Sequence, residues 1–348
     1  MGIAKKNNAQ AIMTSHSPAI VKRIDPEALR YFRLDSDKQT TSVRSLTFPQ
    51  SEGVEAQYKY IKEAVKAYPE LYFAKLVILG EGDSEEIILP KLWSAVYEGA
   101  DVSGISFVPL GGRHVNHFWR LLNDLQIPHI TLLDLDRERT GGGWGRIKYA
   151  LNQLIENGID RDALLTIDGT TLSADDLEHM LSWDNSDHAA MQKWLDKLEA
   201  YHVYFSAPLD IDFMMLESFG SEYKGILDRG EGPIYKKSVN GTNMQVAVRS
   251  VEDDATPPSE YIDYLKRAVN ITLKTDTADG ITYSHSQRKL MAWYNYFFLN
   301  RGKPSTHIAA LSSINEDVLK NQAPDVLKRL MNDAKTTLEG ASNEDNPS

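Results

Sequence analysis

Three short stretches of the 348-residue chain put carboxylates just past apolar runs, where a cluster of them could hold oxygen-seeking cations. Leu76-Val77-Ile78-Leu79 leads into Gly80-Glu81-Gly82-Asp83-Ser84-Glu85-Glu86, with Glu81 at the end of the run and Glu85 four residues on. Gly80 and Gly82 permit a sharp turn there. Asp83 or Ser84 can cap a following helix, which puts Glu85 in its first turn, so that Glu81 and Glu85 could point into one cleft. Leu132-Leu133-Asp134-Leu135-Asp136 carries two aspartates at i and i+2, on one side of a strand. Pro208-Leu209-Asp210-Ile211-Asp212 repeats that spacing after Val203-Tyr204-Phe205. Unpaired, so many acids at one sheet edge repel one another, and bound Mg²⁺ or Mn²⁺ would compensate them. Asp and Glu after strands also serve as caps and turn formers, and that reading stands beside the first.

Lysine enters with Lys303, in Asn300-Arg301-Gly302-Lys303-Pro304-Ser305-Thr306-His307, after an aromatic-rich helix. Such a lysine is solvated unless its turn folds back onto the acids, where it could stabilise phosphate charge. Gly141-Gly142-Gly143-Trp144-Gly145 lacks the Lys-Ser/Thr of a phosphate-binding loop and reads as a mobile loop near Asp136, with a role in substrate contact. His114 and His117 share a helix and read as packing or surface residues; Ser17 precedes a proline and lacks a triad context.

The elements that must position these groups alternate. Strands are expected at Leu76–Leu79, Ile105–Leu110, His129–Leu133 and Val203–Phe205, with helices at Ser84–Tyr97, His114–Leu125 and from the glycine run to Glu156. This spacing predicts an α/β fold, a mainly parallel sheet with helices on both faces, whose ligand crevice lies at the carboxyl ends of the strands. Val54, Tyr58, Ile61 and Val65 predict an amphipathic helix over 54–68, stopped by Pro69. Ala9–Met13, Ala28–Leu34 and Thr41–Leu46 read as short pieces of an incomplete unit. Residues 220–285 break the rhythm, with one helix expected near Ser259–Asn270. Helices return at Gln287–Leu299, Ser305–Leu311 and Pro324–Leu338, before a polar tail.

The net charge of −11 hides a gradient: +4 over residues 1–48, −15 over 49–228, +3 over 229–303 and −3 over 304–348. A −15 segment repels nucleic acid unless cations invert the local field. The basic 229–303 stretch, with Lys236-Lys237, Arg249, Lys266-Arg267 and Arg288-Lys289, could contact a DNA backbone or form a solvated surface. The absence of cysteine excludes disulfides, Cys-ligated zinc, iron–sulfur clusters and a cysteine nucleophile. No apolar run is long enough for a membrane span, so the expected setting is cytoplasmic.

Glu81-Gly82 together with Asp134-Leu135-Asp136 resembles the Toprim pattern. The longer string Leu79–Glu85 with Leu89-Pro90 is similar to the version found in the OLD (overcoming-lysogenisation-defect) family of nucleases, whose Glu-x-x-x-Glu pair falls here on Glu81 and Glu85. Thr14-Ser15-His16-Ser17-Pro18 resembles the switch-histidine segment that closes the ATP-binding cassette domain preceding Toprim in that family, and Gly302-Lys303-Pro304 with His307 resembles its late lysine. Asp210 and Asp212 fall where the family places further acidic ligands, often as Asp-x-Glu. The resemblance implies a Rossmann-like Toprim sheet and a nuclease that hydrolyses DNA phosphodiesters with two divalent ions. Glu81, Glu85, Asp134, Asp136, Asp210 and Asp212 would hold the metals, and Lys303 would offset phosphate charge. The P-loop and Walker B segments are absent from this sequence. The expected organisation is an ATPase remnant at 1–48, a linking helix at 49–73, the Toprim core at 74–220, a largely helical insertion at 221–285, and completion of the core at 286–348. The chain then reads as the carboxy-terminal region of a longer phage-defence protein that assembles through its ATPase and works beside a helicase. The alternatives are a topoisomerase- or primase-like Toprim enzyme and a non-catalytic acidic interaction module.

Overall fold

The computed structural model describes residues 12–35, 40–46, 66–97, 104–111, 115–240, 242–276 and 279–344. Most of the helix expected over 54–68, the start of the 9–13 run, Asp101, Gly112, His114 and the last four residues lie outside the described residues.

Four apolar runs form the central sheet: β1 (Leu76–Gly80), β2 (Ile105–Pro109), β3 (His129–Asp134) and β4 (Val203–Ser206). All neighbours are parallel, in the order β2-β1-β3-β4. Each strand alternates its side chains between two cores. Leu76 and Ile78 of β1, Ile130 and Leu132 of β3 and Tyr204 of β4 enter one; Val77, Leu79, Leu133, Val203 and Phe205 enter the other. Burial on both faces explains why the strands read as unbroken apolar runs. The second core takes the helices α2 (Val115–Leu125), α3 (Trp144–Glu156) and α4 (His188–Glu199). The first takes α1 (Asp83–Val96), α5 (Ile211–Ser218) and the carboxy-terminal elements. This is the α/β sheet expected from the strand and helix spacing.

The order 2-1-3-4 has a functional consequence. From β1 the chain goes to one side to reach β2, then returns to the other side of β1 to form β3. The crevice between the carboxyl ends of β1 and β3 is the switch point, where such sheets receive ligands.

Outside the sheet, Tyr31–Asp35 and Thr40–Arg44 form an antiparallel hairpin. It is tied to the core through Arg33 and Arg44, which reach the backbone carbonyl and side chain of Gln126. In the stretch 221–285 the expected helix is present as α6 (Ser259–Leu273). Part of that stretch departs from a helical reading: Ile234–Val239 pairs with Thr242–Ala247 as a second hairpin. Tyr235 of this hairpin packs with Val248 and Tyr261 in a small core of its own. α7 (His285–Tyr294) runs on as a π-helical stretch, Asn295–Gly302, into α8 (Lys303–Ser313). α9 (Asp325–Glu344) lays Leu327, Leu330, Met331 and Ala334 into the first core.

The glycine run 141–145 is not a loose loop. Gly142 N–H bonds the Arg139 carbonyl and Gly143 N–H bonds that of Leu135, and both glycines are buried. A Cβ on Gly142 would lie 1.8 Å from the Asp136 carbonyl oxygen. The glycines allow the chain to fold back against the end of β3 and launch α3 directly.

Candidate active site

Three of the four strand ends contribute acids to one cleft. Glu81 follows β1, Asp134 ends β3, and Asp210 caps α5 after β4, its Oδ1 accepting the Phe213 N–H at 2.9 Å. Glu85 stands in the first turn of α1, where its Oε2 accepts the Gly82 N–H at 2.9 Å. Gly80 makes room for it, because a Cβ there would meet that of Glu85 at 2.3 Å. Lys303 arrives from the far end of the chain at the start of α8. Glu81, Glu85, Asp134, Asp210, Asp212 and Lys303 line one cleft of about 400 Å³. A second cleft of about 420 Å³ carries no carboxylate; Tyr264, Arg267, Ile271 and Tyr296 are among its walls.

The acids differ sharply in how their charge is met. Burial, then the charges of Glu81, Glu85 and Asp210, push Asp134 well above the usual carboxylate range. Burial pushes Glu85 up to about 8, with Asp212 and Glu81 adding repulsion. Burial raises Glu81 and Asp210 as well, against the partial compensation of Arg146 and Arg139. Among the described residues no Lys or Arg is ion-paired with Glu85 or Asp134; Asp134 accepts the Ser206 hydroxyl at 2.8 Å.

Asp136 and Asp212 are different. Asp136 does not line the cleft. Its Oδ1 meets Arg139 Nη1 and its Oδ2 meets Arg146 Nη2, both at 2.5 Å. Burial would raise this group, but the two guanidinium ions outweigh it and hold Asp136 below its ordinary range. Asp212 accepts His307 Nε2 on Oδ1 at 2.8 Å and pairs with Lys303 Nζ through Oδ2 at 2.5 Å. These partners overcome burial and hold it at about 2.

Cations thus already sit among the acids. Arg146 bridges Glu81, at 3.3 Å, and Asp136. Arg139 bridges Asp136 and Asp210 and also bonds the Thr272 carbonyl and the Tyr294 hydroxyl. Among the described residues no group of three or more Asp, Glu or His side chains is arranged to hold a metal ion. The donor chemistry nevertheless fits a hard divalent cation: an all-oxygen set, crowded, with Glu85 and Asp134 in no Lys or Arg ion pair among the described residues.

Sequence reasoning named the acids and Lys303 but missed Arg139, Arg146, Tyr294 and Tyr223. Arg139 and Arg146 follow Asp136 by three and ten residues; the three-residue step within one turn was the available signal. Tyr294 donates to Asp210 Oδ2 at 2.6 Å across 84 residues, a contact without local signature. Of the basic residues considered for DNA, Lys236, Lys266 and Arg267 are exposed. Arg249 lies over the Trp293 ring and Lys289 bonds the Glu252 carbonyl. His117 is buried within α2, a packing residue. Ser17 stands just before a four-residue helix beginning at Pro18 and makes no side-chain capping bond, and the His16 ring lies 6.3 Å from that of Phe73.

Residues 72–136 match the family described as overcoming lysogenization defect protein-like, Toprim domain. The chain is 29% identical over 162 residues to the endonuclease GajA of Bacillus cereus (strain VD045), which is 45% of this chain and 26% of that protein. It therefore spans about a quarter of that relative's length. Two solved structures are also similar. The carboxy-terminal region of the Xanthomonas campestris pv. campestris OLD protein is 19% identical, covering 80% of this chain and 100% of that one, with a TM-score of 0.42. The corresponding region of the Burkholderia pseudomallei OLD protein is 15% identical, covering 76% of this chain and 99% of that one, with a TM-score of 0.37.

Proposed function

We propose that this chain, whose residues 72–136 match the OLD-like Toprim domain, hydrolyses phosphodiester bonds of DNA with the help of divalent cations. One observation carries the reading: Glu81, Glu85 and Asp134, from two strand ends and a helix start, share a cleft in which burial, with added repulsion from neighbouring carboxylates, raises all three. Such a set is unfavourable by itself and is relieved by cations. The similarity to an endonuclease supports the same class of chemistry.

In this reading Glu81, Glu85 and Asp134 hold Mg²⁺ or Mn²⁺, with Asp210 behind them. Bound in a pair, such ions supply an activated water and offset charge on the attacking and leaving oxygens. The protein's own groups do the rest. Lys303, with 43% of its side chain exposed, reaches the cleft from α8 and offers its ammonium to a phosphate. Arg139 is fixed by four partners and keeps Asp136 and Asp210 in register behind the acids. Arg146 steadies Glu81, whose Oε1 also accepts the Asp134 N–H at 3.0 Å. The exposed Lys236, Lys266 and Arg267 would meet the DNA backbone away from the acidic core. Assembly through a preceding ATP-binding cassette domain, a helicase partner and a role in phage defence belong to the same proposal. They rest on the family resemblance, of which Thr14–Pro18 is the part that points to the ATPase. Among the described residues no helix is long and apolar enough to cross a membrane.

The test uses supercoiled plasmid with Mn²⁺ or Mg²⁺, with and without EDTA, and repeats it with Asp134→Ala. Chelator-sensitive nicking and linearisation, reduced at least about 100-fold in the variant, is the expected result. Relaxed, resealed circles would favour a topoisomerase-like Toprim enzyme. Intact DNA in every lane would favour a non-catalytic module.

A further inference from the structure

We infer that Asp212 serves as the seat of Lys303, not as a metal ligand, and that His307 and Tyr223 are the positioning residues that hold this seat. Three separate elements meet in one chain of contacts, buried except at Lys303. Asp212 lies in α5, Lys303 and His307 in α8, and Tyr223 in the short helix Gly220–Gly225. Tyr223 and His307 are wholly buried, and Asp212 is 1% exposed. The Tyr223 hydroxyl lies 2.6 Å from His307 Nδ1, and His307 Nε2 lies 2.8 Å from Asp212 Oδ1. Asp212 Oδ2 lies 2.5 Å from Lys303 Nζ. With a proton on Nε2, His307 donates to Asp212 Oδ1 while its Nδ1 pairs with the Tyr223 hydroxyl, so both ring nitrogens are used.

The packing leaves this histidine one orientation. Its ring stacks on Phe298 at 4.9 Å and takes the edge of Tyr223 at 5.7 Å. Lys303 and His307 are four residues apart on α8 and so face the same way, which lets one carboxylate serve both. Asp212 therefore has one oxygen hydrogen-bonded toward the core, while the other makes no hydrogen bond and meets the ammonium as an ion pair. Glu85 and Asp134 have no such counter-ion among the described residues. To coordinate a cation, Asp212 would have to give up Lys303 beside the incoming charge. What the seat achieves is order: a long, flexible lysine is presented into the cleft in one place. The phosphate contact expected of Lys303 rests on the proposed nuclease reading; the seating of its ammonium does not.

The experiment compares Asp212→Asn, His307→Gln and Tyr223→Phe with the unaltered chain and with Asp134→Asn. Competitive acetylation followed by peptide mass spectrometry reads the reactivity of Lys303. Electron paramagnetic resonance of free Mn²⁺ reads metal binding. Tyr223→Phe removes a single oxygen at the far end of the chain and is the variant least able to disturb the fold. Lys303 should become at least about threefold more reactive in Tyr223→Phe and more so in Asp212→Asn. Mn²⁺ affinity should stay within about twofold in Asp212→Asn and fall at least about tenfold in Asp134→Asn. In the plasmid assay the Tyr223→Phe loss should fall on kcat rather than KM. Unchanged Lys303 labelling in all three variants overturns the inference, as does a loss of Mn²⁺ in Asp212→Asn equal to that in Asp134→Asn. If labelling changes as expected but no protein cuts DNA, or the unaltered chain binds no Mn²⁺, the nuclease reading fails and the seat remains.

Discussion

Glu85 loses more hydration than any counter-charge returns, and this controls how the site answers to pH. Its folded-state pKa of about 8 lies above the value near 4.3 of an unfolded glutamate. The folded protein therefore keeps a proton that the unfolded chain gives up between those limits. The stability linked to this proton is fully present below about pH 4.3 and is lost as the pH rises through 8. In EDTA the melting temperature should fall from pH 5 to pH 8, with Glu85 contributing on the order of 1–3 kcal/mol of that fall. Glu85→Gln should flatten the slope, and Mn²⁺ should oppose the fall because it takes the deprotonated carboxylate. Differential scanning fluorimetry across this range checks the expectation; parallel slopes in the two proteins would contradict it. Asp136 should not behave this way, because two arginines already match its charge.

Elements deliver these side chains, and the corner between β3 and α3 has the least freedom of them. Gly142 touches the Asp136 carbonyl so closely that Gly142→Ala must move the backbone carrying the Asp136 and Arg139 contacts. We expect it to cost about 2–4 kcal/mol in urea denaturation. Gly141→Ala is the matched control. Its φ of +75° disfavours a side chain, but nothing lies within 4 Å, so about 1 kcal/mol is expected. Equal losses would mean that the corner relaxes freely and does not set the position of Asp136. The π-helical turn before Lys303 belongs to the same scale. Thr306 Oγ1 bonds the Phe297 carbonyl at 3.2 Å, tying the start of α8 back to the widened turns. Such widened turns are frequent at functional sites.

For the whole molecule, the main dependence is of the sheet on the carboxy-terminal helix. α9 begins more than a hundred residues after β4, yet Leu330 is fully buried in the core that holds Leu76, Ile78 and Ile130. Two polar links fasten it: Arg329 grips Glu199 at 2.7 Å, and Asp333 takes His202 at 2.7 Å and Tyr204 at 2.9 Å. Leu330→Ala should destabilise the protein by about 2–5 kcal/mol, because a cavity opens under the sheet. The denaturant midpoint should move while Mn²⁺ affinity in the native state stays the same. A loss below about 0.5 kcal/mol would show that α9 is dispensable to the core.

Local pattern was enough for much of this. The apolar runs that become β1, β3 and β4 were legible because strands buried on both faces need unbroken hydrophobic sequence, and the acids were legible because they directly follow those runs. The second hairpin was not, since Ile234 is exposed and Tyr235 packs into a core built from residues further along the chain. The glycine run looked loose because sequence does not show the carbonyl against which Gly142 packs. Above all, six acids looked equivalent on paper. Whether a buried carboxylate is matched depends on partners brought to it: Arg139 from the turn just before the glycine run, Arg146 from beyond it, Lys303 and His307 from the far side of the second hairpin. Charge compensation is a matter of distance in space, and only the tertiary fold decides which residues come near.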